Sequence, residues 1–544
     1  MSFDRVWVAL AHIVLEVMSN PTDVFPESPI GARLVAAVEA DDWNAVATII
    51  EAEWGELITL DGRLLKQVLR ALPTEVLAER PRLGLAVNYV SYLPVDGQTR
   101  TEIFRTAAPV SAPANLLDAL AELTSRGAAR RSAGEFDRAL EAARTAIALV
   151  EQASDEQLEN LQMALPELQY QWGLSLVFSG AWDDAVRQFT ESHDRAEMVG
   201  NLPIRAQSAG WIALIHALSG RTADSQRWLA RVSPATGASW ESRAATPAIL
   251  AQALLQIHDL DTTAAESTLG RLGPVTEAPE YWVIRLYVEA LATTGRSESV
   301  EILARIDSAV RDRPTALATT GINDGLMRLA RAKAFVKTDN LARARRQLAS
   351  GSGAFFPGAH RVVAARLATL AGDHDAAREL LEHFADDSAG LPRFRAEGFF
   401  LSAVVRAATG AVDDATVDFR QAILIAETER VFSALATLTA DHLEGLTATT
   451  GITPPRFEDL RAAAALNPVQ AITPLTQQEL AVLTAISTAG SMKGAAEQLY
   501  ISLNTAKSHV RRIYLKLGAN SKDEALSIAV RYGILSREPA SETD

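Results

Sequence analysis

Residues with the type and spacing to do chemistry concentrate in one stretch of this 544-residue chain, LYISLNTAKSHVRRIYLKLG, residues 499–518. There Lys507, Arg511, Arg512 and Lys516 gather four cations within three helical turns. A helix bearing such a set suits anions, and above all the phosphates of a nucleic acid. Other constellations fall short of a site. Asp41–Asp42, Asp183–Asp184, Asp386–Asp387 and Asp413–Asp414 have the residue type of paired catalytic acids, yet adjacent residues in a helix-start turn point apart and favour the helix dipole. His374 and His383 lie nine apart with no third ligand at metal spacing, and no HExxH occurs. GSGAFFPG (351–358) lacks both the GxGxxG spacing and a preceding strand, so it reads as an inter-repeat loop; GxxxxGK[ST] is absent. No catalytic residue, metal or cofactor is expected.

The cationic stretch stands out against its surroundings. The whole chain is −15, but Leu475 to Arg537 carries eight Lys/Arg against four acids, so +4 sits in this segment and −19 in the rest. A large body that repels polyanions thus accompanies a small module able to accept one. Length and a 48% hydrophobic content call for several packed units. With no cysteine there are no disulfides, thiolate metal sites or cysteine nucleophiles, which fits a reducing cytoplasm. The apolar run Val6–Leu15 is too short for a membrane span and, with Asp4 beside Arg5, lacks the basic leader of an export signal; it reads as a core helix.

Self-similarity organises the body. GEFDRALEAARTAI (134–147), GAWDDAVRQFTESH (180–193), GRTADSQRWLARV (220–232), GRSESVEILARI (295–306), GDHDAARELLEHF (372–384) and GAVDDATVDFRQAI (410–423) share one plan. Each opens on glycine, and five residues later comes Ala139, Ala185, Ser225, Val300, Ala377 or Ala415; weaker copies start at Asp259 and Asp339 and reach Ala264 and Ala344. Glycine ends one helix in the left-handed conformation, acids favour the start of the next, and the small residue lets the two helices approach. Apolar positions then recur at helical spacing and no alternating strand pattern interrupts them. The pattern predicts an all-α superhelix of stacked helix pairs over residues 1–446.

Residues 447–474 hold Gly451, Pro454, Pro455, Pro468 and Pro474 and read as a linker with one short helix at 457–465. In the module, Thr476 with Glu479 forms a capping box ahead of a first helix. A second helix follows Ser491, and a third, capped by Ser502, carries an apolar stripe of Ala506, Val510, Ile513, Tyr514 and Leu517. Its opposite face bears Lys507, Ser508, Arg511 and Arg512. Two short helices joined by a tight turn, the second buried along one stripe and cationic on the other, suit a DNA major groove.

These residues carry a resemblance. Residues 475–535 resemble the LuxR-type helix-turn-helix domain without a gap, through Leu475, Thr476, Glu479, Val482–Leu483, Ala496, Leu499, Ile501–Ser502, Asn504–Thr505, Lys507, His509–Val510, Ile513, Lys516–Leu517–Gly518 and Glu524–Ala525. The resemblance implies a four-helix DNA-binding domain at 475–536, followed by a tail at 537–544. It also implies a DNA-contacting set of Thr505, Lys507, Ser508, Arg511, Arg512 and Lys516, and a homodimer through a fourth helix near 521–531. His509 either joins that set or packs and caps inside the bundle. Two departures stand out: Gln478 replaces the usual arginine, and Gly494 removes the acidic capping partner of Ser491 at roughly 1 kcal/mol of helix propensity.

The body is similar to tetratricopeptide-like repeats, through the Gly, aromatic, Ala order of GEFDRA and GAWDDA, and ADDWNAVATI (40–49) is a further turn of that kind. LLKQVLRALPTEVLAERPRLGLAVNYV (64–90) resembles the opening of the repeat region in large maltose-activator-type regulators, whose ATPase domain is not expected in the 63 residues ahead of it. Together the resemblances imply a bacterial transcriptional regulator that binds double-stranded DNA, takes a protein, peptide or small-molecule effector at its repeats, and uses no membrane. The competing expectation is an interaction scaffold whose C-terminal domain no longer binds DNA, with Gln478 and Gly494 in its support.

Overall fold

The computed structural model describes residues 28–53, 57, 62–80, 83, 115–232, 245–272, 281–313, 315–349, 357–388, 390–467 and 475–535. Val6–Leu15, most of the 351–358 loop and the 537–544 tail lie outside them. Among the described residues every regular element is a helix, and no helix is long and apolar enough to cross a membrane.

Among the described residues from 115 to 428, eight helix pairs follow one another: Leu116–Ser132 with Phe136–Glu151, Leu165–Ser179 with Trp182–Val199, Leu202–Ser219 with Thr222–Leu229, Thr246–His258 with Thr262–Leu269, Trp282–Ala292 with Arg296–Arg311, Gly321–Lys337 with Leu341–Ala349, Pro357–Leu370 with His374–Leu380, and Pro392–Ala408 with Val412–Thr428. Several first helices are buried on almost every face, as Leu165–Ser179 and Trp282–Ala292 are. The second is amphipathic: Trp182–Val199 buries Ala185, Gln188, Phe189, Ser192, His193 and Ala196 and leaves its charges outside. First helices therefore make an inner layer and second helices an outer one.

The turns explain the repeat. Gly134, Gly180, Gly220, Gly372 and Gly410 have positive φ, and Asp339 adopts the same conformation at φ 57°. Five residues after each, Ala139, Ala185, Ser225, Ala344, Ala377 and Ala415 are fully buried. Asp183, Asp184, Asp413 and Asp414 lie in the first turns of their helices, where the dipole favours them.

Two copies run in a different register from the one expected. At the fourth pair the left-handed residue is Leu260 (φ 68°), so the buried small residue is Ala265 and Ala264 is only half-buried. At the fifth pair Gly295 is the N-cap, with the Glu298 carboxylate accepting from the Thr294 and Gly295 amides at 2.9 and 3.1 Å. The buried small residue is then Ser299, and Val300 is 54% exposed.

The succession of pairs closes on itself. Thr320 Oγ1 donates to Gly134 O at 2.7 Å, and Asp259 takes both Arg430 and Arg456 at 2.8 Å. A Cβ on Gly220 would stand 2.7 Å from Arg393 N, so this turn needs glycine for close approach as well as for its φ of +85°. The Thr222 hydroxyl donates to the Glu429 carbonyl beside it.

Packing also continues through residues 447–467 of the span expected as a linker, the rest of which lies outside the described residues. Phe457–Ala465 buries Leu460 and Ala464, Arg456 stacks 5.1 Å over Phe432, and Asn467 Nδ2 donates to Ala436 O and Leu438 O at 3.1 and 2.6 Å. Near the N-terminus, Pro29–Glu39, Trp43–Ala52, Gly62–Ala71 and Thr74–Glu79 form a separate small core around Leu34, Ile50, Leu65 and Leu69. Asp41 there is left-handed and Asp42 caps Trp43–Ala52, which matches the turn read at 40–49.

One closing contact has a pH signature. His258, 1% exposed, has Nε2 3.2 Å from Ala217 O and Nδ1 3.3 Å from Ser433 Oγ, so the neutral ring donates to the carbonyl and accepts from the hydroxyl. Burial, and then the nearby Arg393, push its pKa down from 6.5 to about 3. Below pH 6.5 the unfolded chain therefore binds a proton that the folded chain refuses, and stability falls as pH falls. The expected slope from this group is about 1.4 kcal/mol per pH unit. Urea midpoints measured between pH 6.5 and 5 should fall for the native chain and fall less steeply for His258→Gln, which keeps an amide donor and an acceptor, the remaining slope coming from His216, His360, His374 and His442, whose pKa values burial also lowers.

Candidate nucleic-acid interface

Residues 475–535 form four short helices, each started by a side chain the sequence supplies. Thr476 and Glu479 exchange backbone and side-chain bonds, 3.3 Å from Glu479 N to Thr476 Oγ1 and 2.8 Å from Thr476 N to Glu479 Oε2, and so begin Gln477–Ala489. Ser491 caps Met492–Gln498 through the Gly494 amide at 3.1 Å. Ser502 caps Leu503–Leu517 through the Thr505 amide at 3.1 Å, and Ser521 caps Lys522–Arg531.

Gly494 also has a packing reason that the sequence did not show. A Cβ there would lie 3.0 Å from Ala489 Cβ, so the second helix passes tightly over the end of the first. Between the second and third helices the chain turns on Tyr500, left-handed at φ 55°, with Ile501 N donating to Ala496 O at 3.0 Å. Its ring is 97% exposed at the start of the third helix. Sequence reasoning passed over Tyr500 as part of a short turn. The signal was a bulky residue two places before a serine cap, where the second helix has to stop.

The third helix buries Ala506, Val510, Ile513 and Leu517. Thr505, Lys507, Ser508, Arg511 and Arg512 are exposed, with Thr505 Oγ1 2.8 Å from Ser502 Oγ. His509 is half-buried and its Nδ1 is enclosed without a hydrogen-bond partner. Tyr514, expected on the buried stripe, is half-buried, and burial raises its phenol pKa.

Lys516 is placed apart from the other cations. Its Nζ meets Glu479 Oε2 at 2.7 Å, with the carboxylate 3% exposed, so it ties the third helix to the first. Burial alone would push the Glu479 carboxyl up, but the Lys516 ammonium and the Thr476 amide and hydroxyl hold it below its ordinary value. Lys516→Ala leaves that carboxylate buried and unmatched, at an expected cost of about 2–4 kcal/mol. Hydrogen exchange of the module's amides should accelerate accordingly, whereas Lys507→Ala leaves it unchanged.

The remaining charges sort in the same way. Lys493 lies 4.0 Å from Glu497, the Lys522 ammonium donates to the Gly490 carbonyl, and Arg531 Nη1 meets Asp339 Oδ2 at 2.6 Å. Among the described residues of the module, the cations with neither an ion pair nor a hydrogen bond are Lys507, Arg511 and Arg512, all on the exposed face of the third helix. The arrangement is a helix-turn-helix whose second member presents free cations, hydroxyls and an amide-bearing Asn504 to solvent.

Comparison with known proteins agrees with this geometry. Residues 473–529 match the family described as bacterial regulatory proteins, luxR family. The chain is 47% identical over 64 residues to the transcriptional regulatory protein YdfI of Bacillus subtilis (strain 168), covering 12% of this chain and 30% of that protein. It is 33% identical over 78 residues to the uncharacterized transcriptional regulatory protein YxjL of the same organism, covering 14% of this chain and 36% of that one. The chain thus spans about a third of the length of these curated relatives. Its C-terminal domain is a LuxR-type helix-turn-helix domain, and it is homologous to the two regulators over the matched residues.

Proposed function

We propose that the chain is a cytoplasmic transcriptional regulator that binds specific double-stranded DNA through Leu503–Leu517, under the control of a tetratricopeptide-like body that takes an effector. Lys507, Ser508 and Arg511 read the groove, while Thr505, Lys507 and Arg512 hold phosphates. Lys516, which the resemblance groups with them, serves the bundle through Glu479. The observation that carries this reading is the sorting of charge, in which the unpaired cations of the module share one exposed helical face.

Control by the body is supported by a direct contact. Asp339, at a repeat turn, accepts from Tyr532 OH at 2.8 Å and pairs with Arg531 at 2.6 Å, so the end of the fourth helix rests on the body. A homodimer through the fourth helix completes the proposal. The test is the salt dependence of DNA affinity. Each phosphate contact removed, by Lys507→Ala or Arg512→Ala, lowers the log–log slope by about one. An unchanged slope would refute the assignment.

A further inference from the structure

The body is acidic overall, yet its inner layer gathers cations. Lys333 and Lys337 come from Gly321–Lys337, Arg366 from Pro357–Leu370 and Arg393 from Pro392–Ala408. All but Lys333 are less than 9% exposed. Within the group lies one acid, Glu397, 0% exposed: Arg366 Nε meets its Oε1 at 2.6 Å, and Arg393 Nη2 stands 3.8 Å from its Oε2. That second oxygen is enclosed without a hydrogen-bond partner. Glu298 acts on Lys337 from the neighbouring pair, and Lys337 Nζ donates to Leu466 O at 2.9 Å.

Lys333 has no such partner. Among the described residues its ammonium makes neither a hydrogen bond nor an ion pair, and its side chain is half-buried. Burial, together with Lys337, Arg366 and Arg393 and against Glu397, holds its pKa well below the ordinary lysine value. Tyr287, 5% exposed, shares the same surroundings of Arg393, Arg366 and Glu397. Four cations thus face two carboxylates in a chain that has 67 acids to spend. Enclosed cations without counter-charge are costly, and a bound anion would offset that cost.

We propose that Lys333, Arg366 and Arg393 form a binding site for a small-molecule oxyanion, a phosphate ester or polycarboxylate, gripped by two guanidinium groups and one ammonium. Guanidinium forks match the paired oxygens of either group, and the lysine adds a point charge. The site rests on the regulator reading only for its role as effector pocket. For that role the geometry is direct: the helix carrying Lys333 and Lys337 ends two residues before Asp339, which holds Arg531 and Tyr532 of the DNA-binding module. Lys337 also grips the carbonyl of Leu466, on the segment leading to that module.

The test uses the full chain with inorganic phosphate, pyrophosphate and citrate at millimolar concentration, each against sodium chloride of equal ionic strength. At least one should raise the Tm saturably by about 2 °C or more. Lys333→Met, which removes an unmatched cation, should keep or raise the basal Tm and lose at least most of that response. No response beyond chloride to any of the three would overturn the site, as would an undiminished response in Lys333→Met. DNA affinity measured on the same samples separates the two proposals. Anion binding without any DNA binding leaves the site standing and removes the regulator reading; DNA binding without an anion response does the reverse.

Discussion

Replacing Lys507 and Arg511 together by alanine should weaken binding of the full chain to its DNA site on the order of 100-fold at near-physiological salt. A base-edge contact of this kind is worth about 1–3 kcal/mol, and loss of a phosphate contact weakens binding as well. Both side chains are exposed, and neither makes an ion pair among the described residues, so the loss will not come from unfolding. Lys493→Ala is the control, since that cation stands beside Glu497 on the second helix. Fluorescence anisotropy on a labelled site, with a melting curve for each variant, gives both quantities. Equal affinity of the double variant and the parent would favour the interaction scaffold.

The second large effect concerns stability. Glu397→Ala is expected to cost about 3–5 kcal/mol, because it strands Arg366 and Arg393 in the interior without their shared carboxylate. Adding Arg366→Met to the same chain should recover part of the loss, since the second change removes one of the stranded charges. Urea unfolding of the two variants beside the parent measures this. If Glu397→Ala unfolds at the parent's midpoint, the cations are compensated by something other than Glu397.

Much of the body was legible because its turns demand rare backbone. A left-handed residue between two helices is met most cheaply by glycine, so Gly134, Gly180, Gly220, Gly372 and Gly410 mark the pairs directly. The register slips at Leu260 and Gly295 were hidden for the same reason. Leucine at φ 68° leaves no compositional mark, and Gly295 has the composition of a turn residue although Glu298 makes it a cap. The module's helices were legible through their serine and threonine caps, each confirmed by a side-chain bond.

Lys516 shows how proximity in sequence misleads. It lies nine residues after Lys507, which at about 100° per residue is half a turn away from it. Helical phase would have set it apart from Lys507, and Glu479, already tied to the first helix's cap, was the buried acid it meets. The interior cluster left no trace of this kind. Lys333, Arg366, Arg393 and Glu397 sit on three helices with ordinary spacing, and only the packing of those helices brings them together.

The central claim is sequence-specific DNA binding by the third helix of the module. Its most direct test is to sequence the genomic fragments retained by the purified full-length chain at about 150 mM salt, where weak phosphate contacts are already suppressed. The Lys507→Ala/Arg511→Ala chain is carried in parallel. The account predicts that the parent enriches fragments sharing a two-fold symmetric site and that the variant enriches none. Enrichment of the same fragments by both chains would contradict it.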